Sequence, residues 1–514
     1  MDYTSEQVII IKENAPLTVV KALAGTGKTS TLLGYAKLRK NVRMLYIVLN
    51  KSVQKEAEIK FRGTSVKPVT SHALAYRYTG VQYQHKLVSS LKPYEVANAL
   101  GISKELNREI GYYGPQNDTL VIASVVLETL TKFLYSTDTE IQAKHINENY
   151  TRLLKILGLD EIAVKQLVIF QARKLWTKMI DVQDGTVGML HDGYLKLFQL
   201  SNPVLSGYDE FLVDESQDMN SCTMSIIFKQ RGKITLVGDD FQAIYGWRGA
   251  KNALSYAASR GAVVHYLTGS FRFGKNIARI ANLVLAIRGA THFVRGLGGE
   301  DRLGNIAEDT QRTVISRTNA GVFSHTTQAI NHQKTWWHVG GSEGYRFDQI
   351  LDVYYLWKRK FDLIRDPFIR SFTDFMELKL YVDQVGDPEL KPRCKIAEDY
   401  GDQIPEIIDK IKGKVGAAFD LESADVVLST AHKAKGLEFP HVQLDDDYIE
   451  LCEIQDMSKL NEQARNEELK KISEDLNILY VAITRAQKTL QLNFDLLSYL
   501  SRNQYDAQEA ADCE

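Results

Sequence analysis

Leu17-Thr18-Val19-Val20 runs into Ala22-Leu23-Ala24-Gly25-Thr26-Gly27-Lys28-Thr29, and that turn opens onto Ser30-Thr31-Leu32-Leu33-Gly34-Tyr35-Ala36. In order, these read as an apolar strand, a glycine-rich turn and the start of a helix. Such a turn aims a set of backbone N–H groups, with the positive end of the helix dipole behind them, at an anion. The stretch is therefore a phosphate-binding loop, with Ala24, Gly25, Thr26, Gly27, Lys28, Thr29 and Ser30 as its cradle. Lys28 reads as the cation between the β- and γ-phosphates, and the Thr29 hydroxyl as a ligand for Mg²⁺. Ala22 stands where the general pattern carries its first glycine.

Two further blocks complete a nucleotide site. Phe211-Leu212-Val213 is a short apolar strand that delivers Asp214 and Glu215 at its C-terminal edge, where ligands of open α/β sheets bind. Asp214 is the candidate metal ligand, and Glu215 the candidate base that orients and deprotonates an attacking water. Ile234-Thr235-Leu236-Val237 is a second such strand, followed by Gly238-Asp239-Asp240-Phe241-Gln242-Ala243-Ile244-Tyr245-Gly246-Trp247-Arg248-Gly249-Ala250. Gln242 is placed to sense a γ-phosphate. Tyr245 and Trp247 project from the same short segment, and aromatic platforms of this kind grip single-stranded nucleic acid at about 1–3 kcal/mol per stacked base.

Composition bounds the class. The 514 residues are enough for three or four domains, and 44% apolar residues supply their cores. With 63 basic and 64 acidic residues, any polyanion must be held by a local groove. Cys222, Cys394, Cys452 and Cys513 lie far apart, which argues against a structural zinc or a disulfide framework and for a reducing compartment. The polar N-terminus and the lack of long apolar runs point to a soluble, intracellular protein.

The run from Gln242 to Ala250, the Ala22-type phosphate loop and Asp214-Glu215-Ser216-Gln217-Asp218 together resemble the UvrD/Rep-like branch of superfamily one DNA helicases. Other matches follow in that family's order, from residue 4 to residue 486. Thr4-x-x-Gln7 is similar to the adenine-reading motif, which implies Gln7 as a nucleotide contact. Asn50-Lys51-Ser52 and Thr70-Ser71-His72-Ala73-Leu74-Ala75 resemble DNA-contacting segments, which implies Asn50, Lys51, Thr70 and His72. Leu267 to Arg272 implies that Phe271 stacks on adenine and that Arg272 reaches the γ-phosphate. Thr430-Ala431-His432-Lys433-Ala434-Lys435-Gly436-Leu437-Glu438-Phe439 implies that Glu438 meets the ribose and that His432 and its neighbour lie on the DNA backbone. Leu479 to Ala486 implies Arg485 as a second arginine at the γ-phosphate, and the run after Gln242 implies Tyr245, Trp247 and Arg248 as DNA contacts. Within the branch the wording is nearest to the F-box DNA helicases. With the first motif at Thr4, no F-box and no ubiquitin-ligase activity are expected. Leu49 stands where relatives often carry an aromatic.

The resemblance implies an α/β protein of two RecA-like P-loop motor domains, each with a mostly helical insertion. Expected limits are 1–80 and 188–270 for the first motor domain and 81–187 for its insertion. The second motor domain is expected at 271–341 and 424–500, its reduced insertion at 342–423, and a tail at 501–514. Implied cofactors are ATP and Mg²⁺, and implied partners are single-stranded DNA and single/double-strand junctions. The implied activity is ATP-dependent 3′–5′ unwinding or protein displacement in repair or recombination. An ATP-gated DNA-binding scaffold is the competing reading, disfavoured by intact Lys28, Glu215, Arg272 and Arg485. Asp445-Asp446-Asp447 reads as a strand end at the solvent, Gly296-Leu297-Gly298-Gly299 as a flexible loop, and Glu377-Leu378-Lys379 as part of a helix and not a nuclease motif.

Overall fold

The computed structural model describes residues 2–48, 50–102, 116–147, 150–246, 249–385, 390–456 and 460–502. Leu49, Trp247, Arg248 and most of the expected tail, from residue 503, lie outside the described residues. Two six-stranded parallel sheets organise the rest, as two RecA-like domains require.

The first sheet contains β1 (Leu17–Ala22), β2 (Met44–Val48), β3 (Val66–Thr70), β4 (Glu210–Val213), β5 (Lys233–Gly238) and β6 (Val263–Leu267), in the order β3-β2-β4-β5-β1-β6. Its strands read as near-continuous apolar runs because both faces are covered. Alternate residues divide between the faces, as the pleat demands. Val19, Leu45, Ile47, Phe211, Val213 and Leu236 join one buried cluster, whereas Val20, Met44, Tyr46, Val48, Leu212 and Val237 join another with Ile10, Leu32 and Tyr35.

The second sheet contains β7 (Arg302–Leu303), β8 (Arg312–Ser316), β9 (Trp336–His338), β10 (Val426–Thr430), β11 (Phe439–Leu444) and β12 (Ala486–Gln491), in the order β7-β12-β11-β8-β10-β9. The chain crosses from one sheet to the other at Gly269–Ser270, which pairs with Arg295–Gly296.

Between β3 and β4 lie the helices Pro93–Leu100, Gln116–Tyr135 and Glu161–Ile180, which pack on one another and whose Val125, Phe133, Leu175 and Met179 belong to the same buried cluster as one face of the first sheet. The two-residue strand Leu87–Val88 pairs with Met189–Leu190 at their base. Between β9 and β10 lie Asp348–Trp357, Phe375–Val385, Leu390–Tyr400 and Ile404–Lys412, which cover Trp336, Val426 and Leu428. Among the described residues, no helix is long and apolar enough to cross a membrane.

Two local readings are corrected. Only Asp446 of the acidic run is exposed. Asp447 turns inward and accepts hydrogen bonds from the Arg317 and Thr318 amides at 2.7 and 2.8 Å, while Asp445 meets His325 at 3.0 Å. Asp447 thus satisfies the donors of the turn after β8 and Asp445 pairs with the following helix, so the two are not a solvated strand end. Gly298 likewise does not sit in a free loop. A Cβ there would come within 2.5 Å of the Phe273 nitrogen, so the glycine lets this segment lie flat against the chain that carries Arg272.

Candidate functional site

The phosphate loop leaves β1 and enters the helix Lys28–Leu38. Gly25 and Gly27 hold φ of +75° and +78°, the left-handed region that glycine enters without a Cβ penalty. Neighbours also exclude a side chain there: a Cβ on Gly25 would lie 2.4 Å from Ser270 Oγ and 2.8 Å from Arg272 Cβ. On Gly27 it would lie 2.9 Å from Gln7 Nε2 and 3.6 Å from the Phe271 ring. Gln7 and Phe271 therefore flank the loop on its outer side. Gln7 is fixed by a capping box, its Oε1 accepting from the Thr4 amide at 3.0 Å while its own amide donates to Thr4 Oγ1 at 3.2 Å. Phe271 is half exposed, as a platform must be.

Asp214 and Glu215 follow β4, with Glu215 at φ +48°. Lys28 Nζ lies 2.6 Å from Glu215 Oε1, and this cation holds the Glu215 carboxyl down at about 2 against the opposing effect of burial. Asp214 is pushed up by burial beside a second carboxylate. The Tyr46 hydroxyl donates to Asp214 Oδ2 at 2.5 Å and also touches the Thr29 hydroxyl. The oxygens of Thr29 and Asp214 thus stand one hydroxyl apart, a hard-oxygen pair that fits Mg²⁺. Gln217 Nε2 donates to Glu215 Oε2 at 2.6 Å, and its Oε1 accepts from the Asp239 amide at 3.1 Å. Gln242 Nε2 donates to Asp239 Oδ2 at 2.8 Å, so base and candidate sensor share one buried network.

The second unit supplies the guanidiniums. Arg272 Nη2 meets Glu438 Oε1 at 2.8 Å and Nη1 donates to Thr484 O at 2.9 Å, while its Nε is buried without a partner among the described residues. Arg485 is 1% exposed, and its guanidinium donates to Val481 O, Leu437 O and Thr484 Oγ1. Burial and the nearby Arg272 cation lower it to about 9. The structure thus joins Glu438 to Arg272 in an ion pair. Arg485 itself lies in the field of Glu215 and Glu438, which oppose the lowering by burial and by Arg272.

On the strand side, Tyr245 faces His432 at 5.7 Å between ring centroids, and its hydroxyl donates to His432 O at 3.4 Å. His432 Nε2 bonds Ile244 O at 3.0 Å, so the pair bridges the two units. Thr70 and Thr430, each ending a strand, cap the helices Ser71–Ala75 and Ala431–Ala434 through their side chains. His72 Nε2 lies 3.0 Å from Asp192. Asn50 caps the helix Lys51–Lys60, whose first residue is exposed, at the same sheet edge. Trp247 and Arg248 fall outside the described residues, although both flanking glycines line a cavity of about 790 Å³ with Lys132, Tyr135, His145 and Lys251.

Sequence reasoning missed Lys435 and Tyr480. The Lys435 ammonium pairs with the buried Asp218, donates to Gln242 O at 2.6 Å and sits 5.1 Å above the Tyr245 ring. The Tyr480 hydroxyl accepts the Ala24 amide at 3.2 Å. Both residues lie inside quoted motifs, but their partners are 217 and 456 residues away in the chain.

A phosphate loop at one parallel sheet, faced by two arginines, one after the crossover between the sheets and one just before β12 of the second sheet, defines the two-domain P-loop motor class. The UvrD/REP helicase N-terminal domain matches residues 3–260 and the UvrD-like helicase C-terminal domain residues 394–495; the chain belongs to the UvrD/REP helicase family. It is 32% identical to F-box DNA helicase 1 of Gallus gallus, over 96% of this chain and 49% of that protein. It is 28% identical to F-box DNA helicase protein 1 of Schizosaccharomyces pombe, over 95% of this chain and 57% of the relative. A stretch covering 18% of the chain is 34% identical to DNA helicase II of Haemophilus influenzae, of which it covers 14%. The chain spans about half the length of the two F-box relatives.

Proposed function

We propose that the protein is an ATP-driven motor that moves 3′ to 5′ along single-stranded DNA, separating strands at junctions or displacing bound proteins in repair or recombination. The observation that carries this reading is the cross-cleft constellation: Lys28 and Glu215 on one unit, and Arg272 and Arg485 on the other, with Glu438 paired to Arg272. Gln7 and Phe271 hold adenine, the loop from Ala24 to Ser30 holds the phosphates, and Gln242 senses the last of them. Lys28 leaves Glu215 for the incoming phosphates, which frees a carboxylate that then becomes more basic and takes a proton from water. Arg272 and Arg485 neutralise the departing γ-phosphoryl oxygens, an effect worth about 10³–10⁵ in rate when the arginine comes from across a cleft. Mg²⁺ held by Thr29 and Asp214 supplies charge neutralisation on the phosphates. Tyr245, Trp247, Arg248, His432 and the Asn50, Lys51, Thr70 and His72 edge carry the strand.

Closure on ATP and opening after hydrolysis move the two units along the strand. The direction rests on the family resemblance, because the same cycle runs either way depending on which unit grips when the cleft is closed. ATP turnover with and without single-stranded DNA, followed by opening of duplexes with 3′ or 5′ tails, tests the reading. DNA-stimulated turnover and opening of the 3′-tailed duplex are expected. Turnover indifferent to DNA removes the motor. Streptavidin leaving the 3′ end of a single strand faster than the 5′ end reverses the direction.

A further inference from the structure

The helix Ser473–Ile483 belongs to the second unit, yet one of its faces is occupied by the first. Glu474, Asn477 and Tyr480 are three residues apart and so stand one above another along about 9 Å of helix. Each bonds a main-chain group of the first unit. Glu474 Oε1 accepts the Gly246 amide at 3.2 Å, Asn477 Nδ2 donates to Ala243 O at 2.9 Å, and the Tyr480 hydroxyl accepts the Ala24 amide at 3.2 Å. The lower end of this ladder is thus in the phosphate loop, and its upper end is on the residue after Tyr245. The Tyr480 ring also meets Phe241 edge to face at 6.3 Å, so the helix follows the segment from Phe241 to Gly246 along its length.

The C-terminal end of the same helix accepts hydrogen bonds from both arginines. Arg485 Nε donates to Val481 O at 2.9 Å, and Arg272 Nη1 donates to Thr484 O, at the helix C-cap, at 2.9 Å. A helix is a stiff rod, so a displacement imposed at Glu474 appears at Val481 and Thr484. Coupling between two sites requires an element whose position both sites bias, and this helix has one end at each.

We infer that the face Glu474-Asn477-Tyr480 is the coupling element of the motor: it sets Arg272 and Arg485 against the phosphate loop in register with the strand-side segment Ala243–Gly246. These are positioning residues that touch neither nucleotide nor strand. The inference rests on the reading that DNA stimulates ATP turnover, and that stimulation is the quantity to measure. A single hydrogen bond of this kind is worth about tenfold or less in an equilibrium.

In the full chain, Glu474→Ala should cut the stimulation of ATP turnover by single-stranded DNA about tenfold, leaving DNA-free turnover and oligonucleotide affinity within about twofold. Glu474→Gln should restore stimulation, because its amide oxygen still accepts from Gly246. Asn477→Asp should reproduce the loss, because it removes the donor to Ala243 while keeping the acceptor that Arg288 uses. Stimulation that survives both Glu474→Ala and Asn477→Asp overturns the inference. So does a Glu474→Gln variant as impaired as Glu474→Ala, or a loss of DNA-free turnover and melting temperature in parallel with stimulation, which marks plain packing. A wild-type chain that DNA does not stimulate fails earlier and separately, at the motor reading itself.

Discussion

Lys28 has two partners available in one cycle, the Glu215 carboxylate it touches here and the phosphates the loop is shaped for. Lys28→Ala should abolish ATP turnover while single-stranded DNA still binds through its separate surface; turnover near wild type in a colorimetric phosphate assay would remove Lys28 from the site. Glu215→Gln should behave differently, retaining bound ATP without hydrolysing it, because the amide keeps the shape but accepts no proton. Arg272→Ala and Arg485→Ala should lower kcat far more than they weaken ATP binding, as befits contacts strengthened in the transition state. Phe271→Ala should chiefly weaken nucleotide binding, and equal losses of affinity in all three would break the division of labour. Lys433 gives a pH dependence. Its ammonium lies 3.5 Å from the Tyr345 ring centroid with no carboxylate or hydrogen-bond partner among the described residues, and burial lowers it to about 8. The charged form, the one that attracts phosphate, is lost as pH rises through that value. DNA affinity should therefore decline between pH 7 and 9, and Lys433→Arg, which does not titrate there, should flatten the decline. A fall of equal depth in that variant assigns the titration to another group.

At the scale of elements, the phosphate loop is held as much by what crosses it as by its own turn. Gly25→Ala meets both a left-handed backbone and Ser270 Oγ, so it should cost about 1–3 kcal/mol of stability and displace Arg272, with fluorescent ATP-analogue binding lost. Gly261 has φ +82° and nothing near its missing Cβ. Gly261→Ala is thus the control, and comparable loss of nucleotide binding in both variants would show that backbone strain alone is responsible. The loop, β4 and β5 were legible in the sequence because each is a short apolar run followed at once by its functional residues, a pattern local enough to read. The same holds for Thr70 and Thr430 at strand ends. What stayed hidden was the pairing. Arg272 with Glu438, Lys435 with Asp218 and Tyr480 with Ala24 depend on how two sheets face one another, and no spacing in the chain encodes that. The inward turn of Asp445 and Asp447 was hidden for a similar reason, since a run of three carboxylates looks solvated until His325 is seen beside Asp445 and the amides of Arg317 and Thr318 are seen to need Asp447.

For the whole molecule, a formal net charge of −1 means that no general basic field draws DNA in. Affinity should fall with rising salt only as steeply as the few phosphates actually touched require, through release of their counterions. Titration of a fluorescent oligonucleotide at several salt concentrations checks this, and a log–log slope of zero would exclude phosphate contacts altogether. The order of the first sheet carries a different consequence, for synthesis. β1 lies between β5 and β6, pairing Val19 with Leu236 on one side and with Val264 on the other. On the ribosome, at about 5–20 residues per second, the strand that bears the phosphate loop emerges first and waits roughly ten seconds or more with both edges bare. A nascent chain stalled before Lys233 has no nucleotide site to offer and leaves both edges of an apolar strand unpaired, the kind of exposed intermediate that aggregates when it is not shielded.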